Sequence, residues 1–182
     1  LGTDAAPGTE EFDIFIKEIR KEITVKCGQK CTAVRRIIVP EKFLGDVQSA
    51  LVKALSQTTI GDPRVEGVRM GALAGRTQLK EVQEKIRLLA QNAETLYGNP
   101  NDVEIIGGSK EKGAFISPVL LLQMNPFKYT EAHEIEAFGP VATIMPYTST
   151  EEAVELSKMG KGSLCSSIIT HDNAVAREYT LG

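Results

Sequence analysis

Between residues 11 and 26, Phe12, Phe15, Ile16, Ile19 and Ile23 recur every three or four positions, with Lys17, Glu18, Arg20, Lys21 and Glu22 between them. That period predicts an amphipathic helix laid on a core. Gly28 ends it. The short run Arg36-Ile37-Ile38-Val39, closed by Pro40, then predicts a buried strand, since proline cannot continue a ladder. Cys31 therefore falls at a junction between helix and strand.

A second helix is expected over residues 42 to 56, stopping before the Gly61-Asp62-Pro63 turn. A long helical pattern follows from Thr77 to Tyr97 and is closed by Gly98-Asn99-Pro100. Val103 to Ile106, Phe115 to Gln123 and Val141 to Pro146 read as strands. Thr150 to Met159 reads as a helix begun by a threonine cap, Ser166 to Thr170 as a strand, and Asn173 to Tyr179 as a helix. Strands alternating with helices predict an α/β layer architecture. No repeat, low-complexity tract or linker divides the chain. The last helix runs into Leu181-Gly182 with no stop signal, which suggests a domain continued beyond it.

Length and composition add bounds. At 182 residues, 42% hydrophobic and 25% charged, the chain has the profile of one globular domain. No window is apolar enough for a membrane span, and the first ten residues lack the basic and apolar regions of a secretory signal. The net charge of −3, with cations dispersed, leaves no electrostatic footprint for nucleic acid. Three cysteines, an odd number, suggest no disulfide framework; a reducing compartment, the cytoplasm, is expected.

The candidate chemistry starts at Gly28-Gln29-Lys30-Cys31. A thiol just after a broken helix can face a cleft and meet free backbone N–H groups. Lys30, Arg35 and Arg36 stand close in sequence and could favour its ionised form. The competing reading is that a free cysteine is a small buried apolar residue, and that reading suits Cys27 and Cys165. Cys27 and Cys31 could also begin a zinc site, but His133 and His171 are the sole nitrogen ligands left, so no metal is expected.

Taken together, several segments resemble the NAD(P)-dependent aldehyde dehydrogenase superfamily. Gly28-Gln29-Lys30-Cys31 before a strand is similar to its active-site cysteine segment. Ile60-Gly61-Asp62-Pro63, Met70-Gly71-Ala72-Leu73 and Phe115-Ile116-Ser117-Pro118-Val119 follow in the family's order, and Glu136-Ala137-Phe138-Gly139-Pro140-Val141 is similar to its cofactor motif. The resemblance implies the catalytic-domain fold of that family, a largely parallel sheet flanked by helices, truncated at both ends.

It also implies roles. Cys31 would attack an aldehyde to give a thiohemiacetal, hydride would pass to a nicotinamide, and the thioester would be hydrolysed, with the Cys31 N–H stabilising the oxyanion. Glu136 would bind the nicotinamide ribose hydroxyls and Phe138 would pack beside the ring, with NADP, or NAD, as cofactor. The wording of the motifs, with Gly160-Lys161-Gly162-Ser163-Leu164, resembles the dehydrogenase half of the bifunctional ring-opening enzymes of bacterial phenylacetate degradation. That implies a small-molecule aldehyde, possibly CoA-linked, as substrate, and a homo-oligomeric parent protein.

No Gly-x-Gly-x-x-Gly follows a strand, and neither the family's general-base glutamate segment nor its dinucleotide-binding domain is present, so the chain alone is expected not to turn over. Glu131 and Glu134, near His133, are read as loop carboxylates rather than a substitute acid–base pair. Two alternatives remain open: a CoA-acylating relative that releases acyl-CoA through the same cysteine, and a non-catalytic α/β module in which Cys31 is dispensable.

Overall fold

The computed structural model describes residues 1–182. Strands β1 (Arg36–Pro40), β2 (Glu94–Tyr97), β3 (Val119–Leu122) and β4 (Val141–Tyr147) form one sheet in the order β1-β4-β3-β2. The β1/β4 and β4/β3 pairs are parallel, and β2 runs antiparallel to β3 at the edge. The expected α/β sheet, largely parallel and flanked by helices, is what the chain forms.

The sequence of the central strands explains why both faces are covered. β3 is Val-Leu-Leu-Leu with no polar position, as a strand buried on both sides requires. Leu120 and Leu122 point with Ala142 and Ile144 of β4 toward helices α1 (Glu10–Thr24) and α2 (Leu44–Ser56), where they meet Phe15, Ile19, Ile23, Leu51 and Leu55. Val119, Leu121 and Val141 point the other way, onto Val82, Ile86 and Leu89 of α3 (Arg76–Leu89). Helix α5 (Thr150–Lys158) extends that second layer, packing Ala153 and Leu156 on Met145 and Tyr147 of β4. Each side chain of this kind contributes about 1.5–3 kcal/mol when fully buried.

Helix α1 begins where the Thr9 side chain accepts from Phe12 N at 3.2 Å, with Glu10, Glu11 and Asp13 in the first turn facing the positive end of the helix dipole.

Several expectations need correction. The long helix stops at Leu89, and Glu94–Tyr97, expected to be its last turn, is β2. The strand expected from Phe115 begins at Val119, because Pro118 has no N–H to give the ladder. Val103 to Ile106 forms no strand beyond one bridge between Gly61 and Ile106. Ser166 to Thr170 joins no strand; Ile169 O accepts from Gly2 N at 2.8 Å, Thr170 Oγ1 donates to Asp4 at 2.7 Å, and residues 166–168 are exposed. The cap of α5 is Ser149, which accepts from Glu152 N, rather than Thr150. A one-turn helix, α4 (Glu131–Glu134), went unread, and the last helix, α6, runs from Asn173 to Leu181.

Candidate active site

Two neighbouring parallel strands set up the site. Cys31 stands five residues before β1 and Glu136 five before β4, so the two lead-in segments enter the sheet side by side. Both residues line one cleft of about 640 Å³. Ile37 and Ile38 of β1 and Tyr147 at the end of β4 line it as well.

The approach to Cys31 is unusual backbone. Lys26, Cys27 and Gly28 all have positive φ, at 53°, 54° and 67°. Left-handed conformation in the first two costs roughly 1–2 kcal/mol each. At Gly28 a side chain is also excluded by space, because a Cβ would run into the Gly139 carbonyl. The reversal sends neighbouring thiols to opposite fates. Cys27 is 1% exposed in the α3-side core, and burial pushes its thiol up to about 12. Cys31 is exposed, and its N–H donates to no acceptor in the protein.

The loop is held from several directions. Gln29 accepts from Ala74 N at 2.9 Å and donates to Lys26 O at 3.0 Å. Lys30 pairs with Glu22 at 2.7 Å, so its charge is committed away from the thiol. The two arginines that sequence placed near the thiol diverge. Arg36 turns to α5, donating to Leu156 O and Ser157 O. Arg35 binds the carbonyls of Gly28 and Gly139, each at 2.7 Å. Burial pulls the Arg35 guanidinium below its ordinary value, and Glu136 opposes that shift.

Glu136 lies 3.7 Å from Arg35 Nε, an ion-pair separation beyond hydrogen-bond reach. Its side chain is 59% exposed and makes no hydrogen bond, which leaves both oxygens open to hydroxyl donors such as those of a ribose. Phe138 does not line the cleft with Cys31 and Glu136; its half-buried ring lies beneath the Arg35 guanidinium, 5.6 Å from the centroid. The carboxylate thus fits a cofactor as it stands, and the aromatic ring is near it but set back.

The remaining candidates are structural. His133 is buried between Arg36 and the Pro126 carbonyl. Arg36 must donate, so Nδ1 accepts and Nε2–H faces Pro126 O, and burial lowers this imidazole below its usual range. Glu131 accepts from Asn92, and Glu134, which lines the cleft, pairs with Lys161 at 3.5 Å. His171 bonds to Asp4 at 2.9 Å. No cluster of three His, Cys, Asp or Glu converges to hold a metal ion, and no helix is long and apolar enough to cross a membrane.

Comparison with known proteins fits this arrangement. Residues 9–181 match the model of the aldehyde dehydrogenase family. The chain is 40% identical over 182 residues to 3,4-dehydroadipyl-CoA semialdehyde dehydrogenase of Aromatoleum evansii, covering 100% of this chain and 35% of that protein. It is 32% identical over 179 residues to a putative aldehyde dehydrogenase of Staphylococcus aureus strain MSSA476, covering 93% of this chain and 36% of that one. The chain therefore spans about a third of the length of these relatives. Among solved structures, a mutant of aldehyde dehydrogenase C from Pseudomonas syringae, complexed with NAD+ and octanal, is 26% identical with a TM-score of 0.68, over 80% of this chain and 30% of that one. Succinic semialdehyde dehydrogenase from Streptococcus pyogenes shares the fold, with a TM-score of 0.81 at 24% identity, over 99% of this chain and 38% of that one.

Proposed function

The chain belongs to the aldehyde dehydrogenase family, and from that premise we propose that it carries the nucleophile, Cys31, of an NAD(P)-dependent enzyme that oxidises an aldehyde to an acid. The observation that carries this reading is that the exposed Cys31, with its free N–H, and the Glu136 carboxylate, which makes no hydrogen bond, line one cleft. The parent protein would supply the dinucleotide-binding domain and the general base. Three unpaired thiols suit a reducing cytoplasm.

Once its proton has passed to a base, Cys31 Sγ attacks the aldehyde carbon as the thiolate, and the carbonyl oxygen takes up the electron pair as an oxyanion. The Cys31 N–H, which donates to no acceptor in the protein, would receive that charge, which a preorganised donor stabilises more in the transition state than in the ground state. The nicotinamide cofactor, when bound, would accept the hydride released as the oxyanion re-forms a carbonyl, which leaves the acyl group on Cys31 as a thioester. Glu136 would accept hydroxyl hydrogens of its ribose and Phe138 would support the segment beside it. Water then cleaves the thioester to release the acid and restore the thiol.

For substrate we favour a CoA-linked semialdehyde of aromatic degradation, supported by likeness to the Aromatoleum protein and by the phenylacetate-type wording of the motifs. The same resemblance favours NADP over NAD. The test is NADPH formation by the full-length protein given such a semialdehyde. Cys31→Ala should lower kcat by at least about a thousandfold, since loss of a nucleophile removes the covalent route. Unchanged turnover in that variant would sink the assignment, and acyl-CoA in place of free acid would convert it to a CoA-acylating dehydrogenase.

A further inference from the structure

We infer that Arg35 is a positioning residue that fixes the cofactor carboxylate relative to the nucleophile loop, an inference that rests on the reading of Cys31 and Glu136 above. One guanidinium touches both segments. On the nucleophile side Nη2 donates to Gly28 O at 2.7 Å and to Lys30 O at 3.4 Å, the second immediately before Cys31. On the cofactor side it donates to Gly139 O at 2.7 Å, across 104 residues of sequence, and lies over the Phe138 ring.

The remaining donor is the informative one. Arg35 Nε is buried and has no hydrogen-bond partner. It faces Glu136 Oε1 at 3.7 Å. A buried N–H normally finds an acceptor, because leaving it unpaired forfeits its hydration. Here the nearby carboxylate is drawn toward the cation without closing onto it. Glu136 is thereby held by charge in one orientation, with its oxygens still free for hydroxyl donors. A planar group with several fixed donors can serve three carbonyls and a carboxylate at once, which a lysine ammonium on a flexible stem cannot. Arg36, next in sequence, points away into α5 and plays no part in this bridge.

A loop staple with no bearing on the cofactor would cost stability alone, so the test reads binding and turnover separately in the full-length protein. NADPH affinity is measured by its fluorescence, kcat and KM by absorbance, and folding by circular dichroism. Arg35→Met, which keeps much of the stem's packing, should weaken NADPH binding about tenfold or more while the protein stays folded, since small misplacements of positioning groups carry penalties of that order. Glu136→Gln should weaken it similarly. The double variant should be little worse than either, because both act on one carboxylate. Arg35→Lys keeps a cation facing Glu136 and should recover most of the affinity while kcat stays depressed.

A folded Arg35→Met protein with wild-type affinity would overturn the inference, as would penalties that multiply in the double variant. Should Arg35→Met fail to fold, Arg35→Lys with both affinity and kcat unchanged overturns it as well. A wild-type protein that binds NADPH but oxidises no aldehyde would defeat the proposed reaction and leave the Arg35 effect legible in binding. One that binds neither nicotinamide cofactor would defeat both.

Discussion

Residues 25–35 and 160–170 are both loops rich in small and polar residues, each with an exposed cysteine and a positive-φ glycine, and they are held to different degrees. The first has the stranger backbone, with three successive residues in the left-handed region, yet it is held by Gly139, Ala74, Glu22 and Arg35. The second has the more strand-like sequence, Ser-Leu-Cys-Ser-Ser-Ile-Ile-Thr, yet Leu164 is 70% exposed and no strand pairs with it. Local propensity does not decide which loop is rigid. What decides is whether the rest of the molecule over-determines the conformation, and a strained segment persists where it does.

The matched glycines give the largest test of that difference. Gly28 and Gly162 have φ of 67° and 79°. A Cβ at Gly28 would strike the Gly139 and Pro140 backbone, whereas at Gly162 it would meet nothing within 4 Å. Gly162→Ala should therefore cost the backbone term alone, about 1 kcal/mol. Gly28→Ala adds displacement of a second segment and should cost about 3 kcal/mol or more. Urea melts of the two variants measure the gap, and equal losses would mean that the Gly28/Gly139 approach relaxes freely in solution.

The cysteines give the next test. Burial raises the Cys27 thiol from its ordinary value of 9.0 to about 12. Below pH 9 both folded and unfolded chains keep this proton, and the linkage is silent. Above pH 9 the unfolded chain releases it while the folded chain retains it, so stability falls as pH rises, at up to about 1.4 kcal/mol per unit. Urea melts from pH 8 to 10, below the range where the buried Tyr147 and Tyr97 phenols add their own slope, should show this slope in the wild type and a shallower one in Cys27→Ala. Identical slopes in wild type and Cys27→Ala would show that Cys27 is hydrated.

These contrasts also explain what could be read from sequence. Helices α1 and α2 and strands β1 and β4 were legible because each carries its own apolar period or run, with Gly28, Pro40 or Gly61 as punctuation. Strand β2 was not, since Glu94-Thr95-Leu96-Tyr97 follows the apolar positions of α3 without a glycine or proline between, and its strand character comes from pairing with β3. Residues 166–170 show the converse: β-branched side chains without a partner make no strand. Cys31, Glu136 and Phe138 were singled out by likeness to family motifs, and the fold sets Cys31 and Glu136 on one cleft with Phe138 behind it. The bridging role of Arg35 could not be read from sequence, because its acceptors at Gly28 and Gly139 lie on segments that only the fold brings together. Arg36 carries the same side chain in the next position and faces the opposite way.

The smallest expected effect is the one most able to undo the comparison. Leu164 keeps most of its surface in water, so replacing it with serine removes little buried area. Leu164→Ser should shift stability by no more than about 0.5 kcal/mol, the range for surface positions. Ile23→Ala, taken as the reference from the fully buried face of α1, should cost about 2–5 kcal/mol. A loss for Leu164→Ser approaching that of Ile23→Ala would place the side chain in a packed environment. Residues 160–170 would then be a second over-determined loop, and Gly162→Ala should rise toward the cost of Gly28→Ala with it. Joint measurement of Leu164 and Gly162 thus separates an error about one side chain from an error about the whole segment.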